Sequence, residues 1–259
     1  MPDYLDTLAQ DAKQTVAEGY YNVSTQHNSV LVSLKEAIKE SKTNAIITEV
    51  KAASPSRGTI KTNVDPAEIA SAMEKGGSIG ISVLTEPKHF NGALSYLAKV
   101  REAVKLPILM KDIIVDPIQL EAATRIGANI VLLIEAVFER GYCEFSVDEM
   151  ITQAHSRSLE VLLETHNEDE FLRAIETNAD LVGINNRDLR TLKIDLETTK
   201  AILKKHEKRG KVVVSESGIM TVTDLVFLRN CGAQAFLIGS AIMMSDNIEQ
   251  KVKEFVTAH

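Results

Sequence analysis

The stretch LPILMKDIIVDPIQLEAATRIGANIVLLIE (residues 106–135) contains the unit that sets the fold. LPILMKD (106–112) is a short apolar run that ends in charge. DPIQLEAATRI then opens with Asp116, a good helix cap, and Pro117, a good first helical residue. Its apolar residues recur at helical spacing, and Gly127 stands where a helix can end in the left-handed region. ANIVLLIE (128–135) is a second apolar run. A strand, a crossover helix and a second strand read this way when the strands are parallel and buried on both faces.

The unit repeats along the chain. The other runs are AIITEVK (45–51), SIGISVLT (78–85), SLEVLLET (158–165), ADLVGIN (179–185), KVVVSES (211–217) and AQAFLIG (233–239). Between them lie amphipathic segments such as DPAEIASAMEK and NEDEFLRAIET, the second opening on an Asn cap followed by acids. Eight such units in a 259-residue chain predict an α/β fold, a closed (β/α)8 TIM barrel. No Gly-x-Gly-x-x-Gly follows the first run, which counts against an open dinucleotide-binding sheet. Residues 1–42 form a polar, helix-prone N-terminal extension, and no linker divides residues 1–259, so a single domain is expected.

The chain is 44% hydrophobic but only 5% aromatic, without Trp, so its core is aliphatic. A net charge of −7 disfavours a nucleic-acid or anionic-membrane partner. The two cysteines, Cys143 and Cys231, lie far apart without metal-type spacing. They read as small reduced core residues in a cytoplasmic protein. The polar N-terminus lacks a signal-peptide pattern, and no apolar stretch approaches the roughly 20 residues that span a bilayer.

In a barrel of this kind the chemistry sits at the C-terminal ends of the strands. Polar residues gather there. Glu49 and Lys51 lie two apart, on one face of the first strand's end. Lys111-Asp112, Glu164, Asn185-Asn186-Arg187, Glu216-Ser217-Gly218 and Gly239-Ser240 end later runs. Glu135 is read as an ordinary strand end. Several charges in a narrow mouth are costly unless paired or used, so the cluster is expected to be an active site. Ser217-Gly218 and Gly239-Ser240 follow the seventh and eighth runs, where barrels of this type hold phosphate on backbone N–H groups. Ser54 could add a hydroxyl. The histidines (His27, His89, His155, His166, His206, His259) read as surface residues, with no metal-ligand spacing among them. No metal or other cofactor is expected.

The stretches ITEVKAASPSRG, ISVLTEPKHFNG, LPILMKDIIVDPIQL, LLETHNEDE, VGINNRDLRTL, VSESGI and AFLIGSAIM together resemble the indole-3-glycerol-phosphate synthase family, from about residue 45 to about residue 245. The resemblance implies a carboxy-lyase of tryptophan biosynthesis. Its substrate would be 1-(2-carboxyphenylamino)-1-deoxyribulose 5-phosphate, a small phosphorylated molecule. The products would be indole-3-glycerol phosphate, CO2 and water. No cofactor and no obligate protein partner are implied. By the same resemblance Lys111 is the general acid of ring closure and Glu164 takes part in the dehydration. Glu49 and Lys51 orient substrate and move protons, and Asn185 orients it. Arg187 meets the substrate's carboxylate side. Ser54, Ser217, Gly218, Gly239 and Ser240 bind phosphate, Phe90 lines the substrate site, and Glu216 supports.

Three features depart from the family pattern. Ile113 stands where Phe is frequent and His89 where Tyr is frequent. The Arg-Asp-Phe-like stretch before the first strand is absent. A glutamate crowded among these charges is expected to have a raised pKa. The alternatives are a barrel that binds a phosphorylated ligand without catalysis, a related tryptophan-pathway barrel, and a flavin-binding barrel.

Overall fold

All eight apolar runs become parallel strands: β1 Ala45–Val50, β2 Gly80–Leu84, β3 Ile108–Lys111, β4 Ile130–Ile134, β5 Glu160–Thr165, β6 Leu181–Asn185, β7 Val212–Glu216 and β8 Ala235–Ile238. Each strand pairs with the next, and β8 pairs back onto β1 with Ala45 opposite Ala235 and Ile47 opposite Leu237. The barrel is therefore closed, with no free sheet edge. The computed structural model describes residues 3–24, 26–27, 31–51, 53–54, 58–59 and 65–259, with residues 53–54 and 58–59 given by their backbone only. Those two pairs form a small antiparallel ladder beyond β1.

The helices are α1 Tyr4–Ala17, α2 Leu34–Glu40, α3 Pro66–Lys75, α4 Leu94–Ala103, α5 Pro117–Ile126, α6 Glu135–Glu139, α7 Val147–Ser156, α8 Glu168–Ala174, α9 Glu197–Lys205, α10 Val222–Asn230, α11 Ser240–Met243 and α12 Ile248–Val256. Local chemistry starts them as read. The Asp116 carboxylate accepts from Ile118 N–H with Pro117 at the first helical position, and Asn167 caps α8. Gly127 ends α5 at φ 88°, a conformation that Gly adopts without the Cβ clash. Among the described residues no helix is long and apolar enough to cross a membrane.

Alternation along the strands sorts the core into two parts. One set of residues faces the helices, including Ile46, Val83, Met110, Val131, Leu163 and Val213. The other fills the barrel, including Ile47, Leu109, Leu132, Leu162, Leu181, Val214 and Leu237. Burying each such side chain contributes on the order of 1.5–3 kcal/mol.

The two N-terminal helices close the ends of the barrel. Helix α2 seals the bottom: Leu34 and Lys35 N–H donate to Glu160 Oε2 at 2.8 and 3.3 Å. Gly80 has no side chain there because its Cβ would lie 2.7 Å from Leu34 Cδ1. Helix α1 lies over the opposite rim, where Leu5, Leu8, Ala9 and Ala12 join the core of Ile113, Val115, Ile134 and Val137. Arg140 Nη1 holds Asp3 and Asp6 at 2.7 and 2.8 Å, and Tyr142 Oη holds Asp6 at 2.9 Å.

Candidate active site

Period-two alternation puts every second residue of each strand inside the barrel. Ile47 is followed inward by Glu49, Leu109 by Lys111, Leu162 by Glu164, Leu181 by Gly183 and Asn185, and Val214 by Glu216. These polar side chains end the apolar interior and form the floor of a cavity of about 340 Å³. Strands β3 and β4 supply an apolar wall of Ile113, Leu132 and Ile134, which α1 extends with Tyr4 and Leu8. Across the barrel, the β7 and β8 ends supply Ser217, Gly218, Gly239 and Ser240.

Lys111 is the hub of the floor. Its Nζ lies 3.1 Å from Glu164 Oε2 and 3.3 Å from Glu216 Oε2. A second pair, Lys51 Nζ and Glu49 Oε1, sits 2.8 Å apart at the end of β1. That pair explains the bare Gly239, since a Cβ there would fall 2.6 Å from Glu49 Oε1 and 2.9 Å from Lys51 Nζ.

The charges respond to one another. Burial is the strongest single influence on Lys111 and works against its charge. Glu164, Glu216 and Glu49 together outweigh it and hold the ammonium above the usual lysine range. Burial likewise opposes the charge on Glu164, but Lys111, His166 and Asn185 keep it below the usual carboxylate range. Glu49 is held down by Lys51 and Lys111 against burial. Glu216 goes the other way: burial and the neighbouring Glu164 outweigh Lys111 and push it up to about 8. The floor thus keeps one protonated carboxyl beside an ionised one, with an ammonium between them.

The supports lie outside the cavity. Asn186 projects away from it and donates from Nδ2 to Ser215 Oγ at 3.0 Å, Glu216 O at 2.9 Å and Ser217 O at 3.1 Å. Its Oδ1 accepts from Thr199 Oγ1 at 2.8 Å. This buried network fixes the turn in which Ser217 and Gly218 take φ 65° and 87°. For Ser217 that left-handed conformation is uncommon. Gly239 immediately precedes the short helix α11, and Gly239 and Ser240 line the same cavity as Ser217 and Gly218. Asn185 Oδ1 accepts from Arg187 N–H at 3.0 Å, and Arg187 Nη1 donates to Leu192 O at 3.1 Å. After β3, Gln119 clamps the segment following Lys111, accepting from Val115 N–H at 2.8 Å and donating to Ile113 O at 2.9 Å.

Glu49, Lys51, Lys111, Glu164, Asn185, Phe90, Arg187, Glu216, Ser217, Gly218, Gly239 and Ser240 all line the one cavity. The side chain of Ser54 lies outside the described residues. Glu135 stays outside the cavity, but it is buried at the start of α6 rather than set at a solvated strand end, and it pairs with Arg173 Nε at 2.7 Å. Ile113 joins the apolar wall, whereas His89 leaves the cavity and meets Asp11 Oδ2 at 2.7 Å and the edge of Tyr4.

One sequence reading is corrected. His166 is not a surface residue. Its side chain is only 8% exposed, and its ring nitrogens lie 3.1 Å from Glu164 Oε1 and 3.2 Å from Glu170 Oε2. Glu86 was also missed. Its buried carboxylate accepts from the backbone N–H groups of Lys88, His89 and Phe90 at 2.7–3.0 Å, which sets the loop that carries Phe90.

The family profile described as "Indole-3-glycerol phosphate synthase" matches residues 5–255. The indole-3-glycerol phosphate synthase of Methanocaldococcus jannaschii is 47% identical, over 86% of this chain and 82% of that protein. The enzyme of the same name from Neisseria gonorrhoeae is 38% identical, over 97% and 98%. Among solved structures, an N-acetylmannosamine-6-phosphate 2-epimerase from Clostridium perfringens superposes with a TM-score of 0.60 at 15% identity, over 85% of this chain and 93% of that one. That likeness is one of fold alone. The profile match and these relatives span most of the chain, and the profile takes in every polar residue of the cavity floor: the chain belongs to the indole-3-glycerol phosphate synthase family.

Proposed function

We propose that this cavity converts 1-(2-carboxyphenylamino)-1-deoxyribulose 5-phosphate into indole-3-glycerol phosphate, CO2 and water, with Lys111 as the acid of ring closure. The observation that carries this reading is Lys111 Nζ, set between Glu164 and Glu216 at 3.1 and 3.3 Å on the cavity floor. The apolar wall of Ile113, Leu132 and Ile134 suits the aryl ring, and the Ser217-Gly218 and Gly239-Ser240 turns suit the phosphate. A substrate anchored at both ends is bent over the floor, so that binding energy holds the reacting carbons together.

The aryl carbon that bears the carboxylate attacks the ketone carbon. Electrons move onto the carbonyl oxygen, which takes a proton from Lys111. Loss of CO2 returns the carboxylate's bonding pair to the ring and restores aromaticity. The new hydroxyl then leaves as water after a second protonation, and one proton is lost from the ring CH2 carbon beside the nitrogen, whose C–H pair becomes the new double bond. Two protons are therefore delivered and one is removed. Glu164, held ionised, is the acceptor. Glu216, held neutral at 3.3 Å from Lys111, can return a proton to it between the two deliveries. Asn185 and Arg187 orient the amine and the carboxylate, while Glu49 and Lys51 complete the polar rim. Ser54 is proposed as a further phosphate donor on the resemblance alone.

The test is indole fluorescence after substrate is added to the wild type and to Lys111→Ala. A signal in the wild type that is lost in the variant, with affinity for inorganic phosphate retained, is expected. Near-normal turnover in Lys111→Ala would remove Lys111 as the acid. Substrate binding without turnover in the wild type would favour a non-catalytic phosphate-binding barrel.

A further inference from the structure

Every charged group on the cavity floor faces the cavity, but the next charge outward does not. His166 follows β5, and its ring is buried between Glu164 of the floor and Glu170 of α8. Glu170 is itself fixed: it accepts from His166 N–H at 2.7 Å and from the Asn167 amide, and its own N–H donates to Asn167 Oδ1 at 3.0 Å. Glu164 thus has one oxygen on Lys111 and the other on His166.

We propose that His166 is a positioning residue that acts on Glu164 through its charge, holding one carboxylate oxygen so that the other stays on Lys111. Because both ring nitrogens face carboxylates, a neutral ring would turn a lone pair on one of them. The protonated ring avoids this. Burial pulls the imidazole down, but Glu164 and Glu170 outweigh it and raise it to about 9. Nε2 lies 3.1 Å from Glu164 Oε1 and Nδ1 lies 3.2 Å from Glu170 Oε2, so the ring pairs with a carboxylate on each side. The groups facing the ring are Glu164 from β5 and Glu170 from α8, with Lys111 of β3 beyond Glu164. Flanked by two cations, Glu164 stays ionised, and each of its oxygens has a fixed place. The inference rests on the proposed reaction for its kinetic consequence but not for its electrostatics.

Two measurements test it. The first is the 15N titration of the His166 ring in the resting protein, which does not depend on whether the wild type closes the ring. The ring should stay protonated through neutral pH and lose its proton near pH 9, and in Glu170→Gln it should lose it at lower pH. The second is the steady-state kinetics of His166→Gln, which keeps a donor but not the charge. Glu164 is held far below the usual carboxylate range and stays ionised in both proteins, so the acidic limb of kcat should not move. With Oε1 no longer held, Oε2 should leave Lys111, and kcat should fall about tenfold with KM unchanged. A neutral His166 ring at pH 7, or a folded His166→Gln with the wild-type kcat, overturns the proposal. So does a loss of kcat that accompanies only a lower Tm.

Discussion

Gly183 and Glu216 claim the same space: a Cβ built on Gly183 would overlap Oε1 of Glu216. The two residues lie on neighbouring strands, β6 and β7, with Asn185 opposite Glu216 in the register. The missing side chain lets the Glu216 carboxyl lie flat across the floor, with Oε2 on Lys111.

Gly183→Ala should therefore push Glu216 off Lys111 without touching the cavity walls. A shift near 1 Å at a reacting group costs about 100-fold in rate. We expect kcat to fall by about that factor while affinity for inorganic phosphate is kept. Steady-state kinetics beside a phosphate titration check this, and an unchanged kcat would show that Glu216 has no fixed place in the chemistry.

Asn186 holds Ser215, Glu216 and Ser217 from behind. Asn186→Ala leaves buried carbonyl and hydroxyl oxygens without that donor, at a cost of about 1–3 kcal/mol. The strained Ser217-Gly218 turn should relax. The expected result is a lower Tm and an approximately tenfold weaker hold on phosphate, equal to about 1.4 kcal/mol. Isothermal titration with inorganic phosphate measures it. If phosphate affinity survives, the turn does not depend on Asn186.

These supports mark the boundary of what the residues alone disclose. The strands were legible because a parallel sheet buried on both faces demands unbroken apolar runs. The floor was legible because charge at the end of such a run has few structural uses, which brought Glu49, Lys111, Glu164 and Glu216 together. His166 was not, because its burial depends on how α8 packs against the end of β5. The only local hint was the Asn167-x-x-Glu170 spacing, which predicts a glutamate reaching back toward the helix start. The left-handed Ser217 and the wall made by Tyr4 and Leu8 are likewise products of packing between distant segments. So is the identity of the protonated carboxyl, which follows from the order of charges around Lys111.

Glu216 gives that order a pH dependence. Its ordinary value is 4.5 and its folded value about 8. Between these limits the folded protein keeps a proton that the unfolded chain releases. The stability tied to that proton is full below about 4.5 and is lost as pH rises through about 8. Glu216→Gln has no such loss, so its Tm should gain on the wild type as pH is raised across this window. Wild-type kcat should also fall near pH 8, where Glu216 can no longer return a proton to Lys111. Paired thermal melts and kcat profiles from pH 4.5 to 9 decide it, and a constant Tm difference would place the proton elsewhere.

Helix α1 makes the last prediction. It supplies Tyr4 and Leu8 to the cavity, yet it is fixed to the rim by a few apolar side chains and the contacts of Asp3, Asp6 and Asp11. Leu8 is 2% exposed. Leu8→Ala typically costs about 2–5 kcal/mol at such a site. Because α1 packs on the barrel rather than within its sheet, that loss should fall on the docking of α1 and not on the strands. Amide exchange should accelerate across residues 4–17 and stay slow in β5 and β6. With the apolar wall opened, KM should rise while the floor, and so kcat, changes less. Uniformly faster exchange across the barrel would mean instead that α1 is part of one cooperative core, and that the cavity cannot open on that side without unfolding.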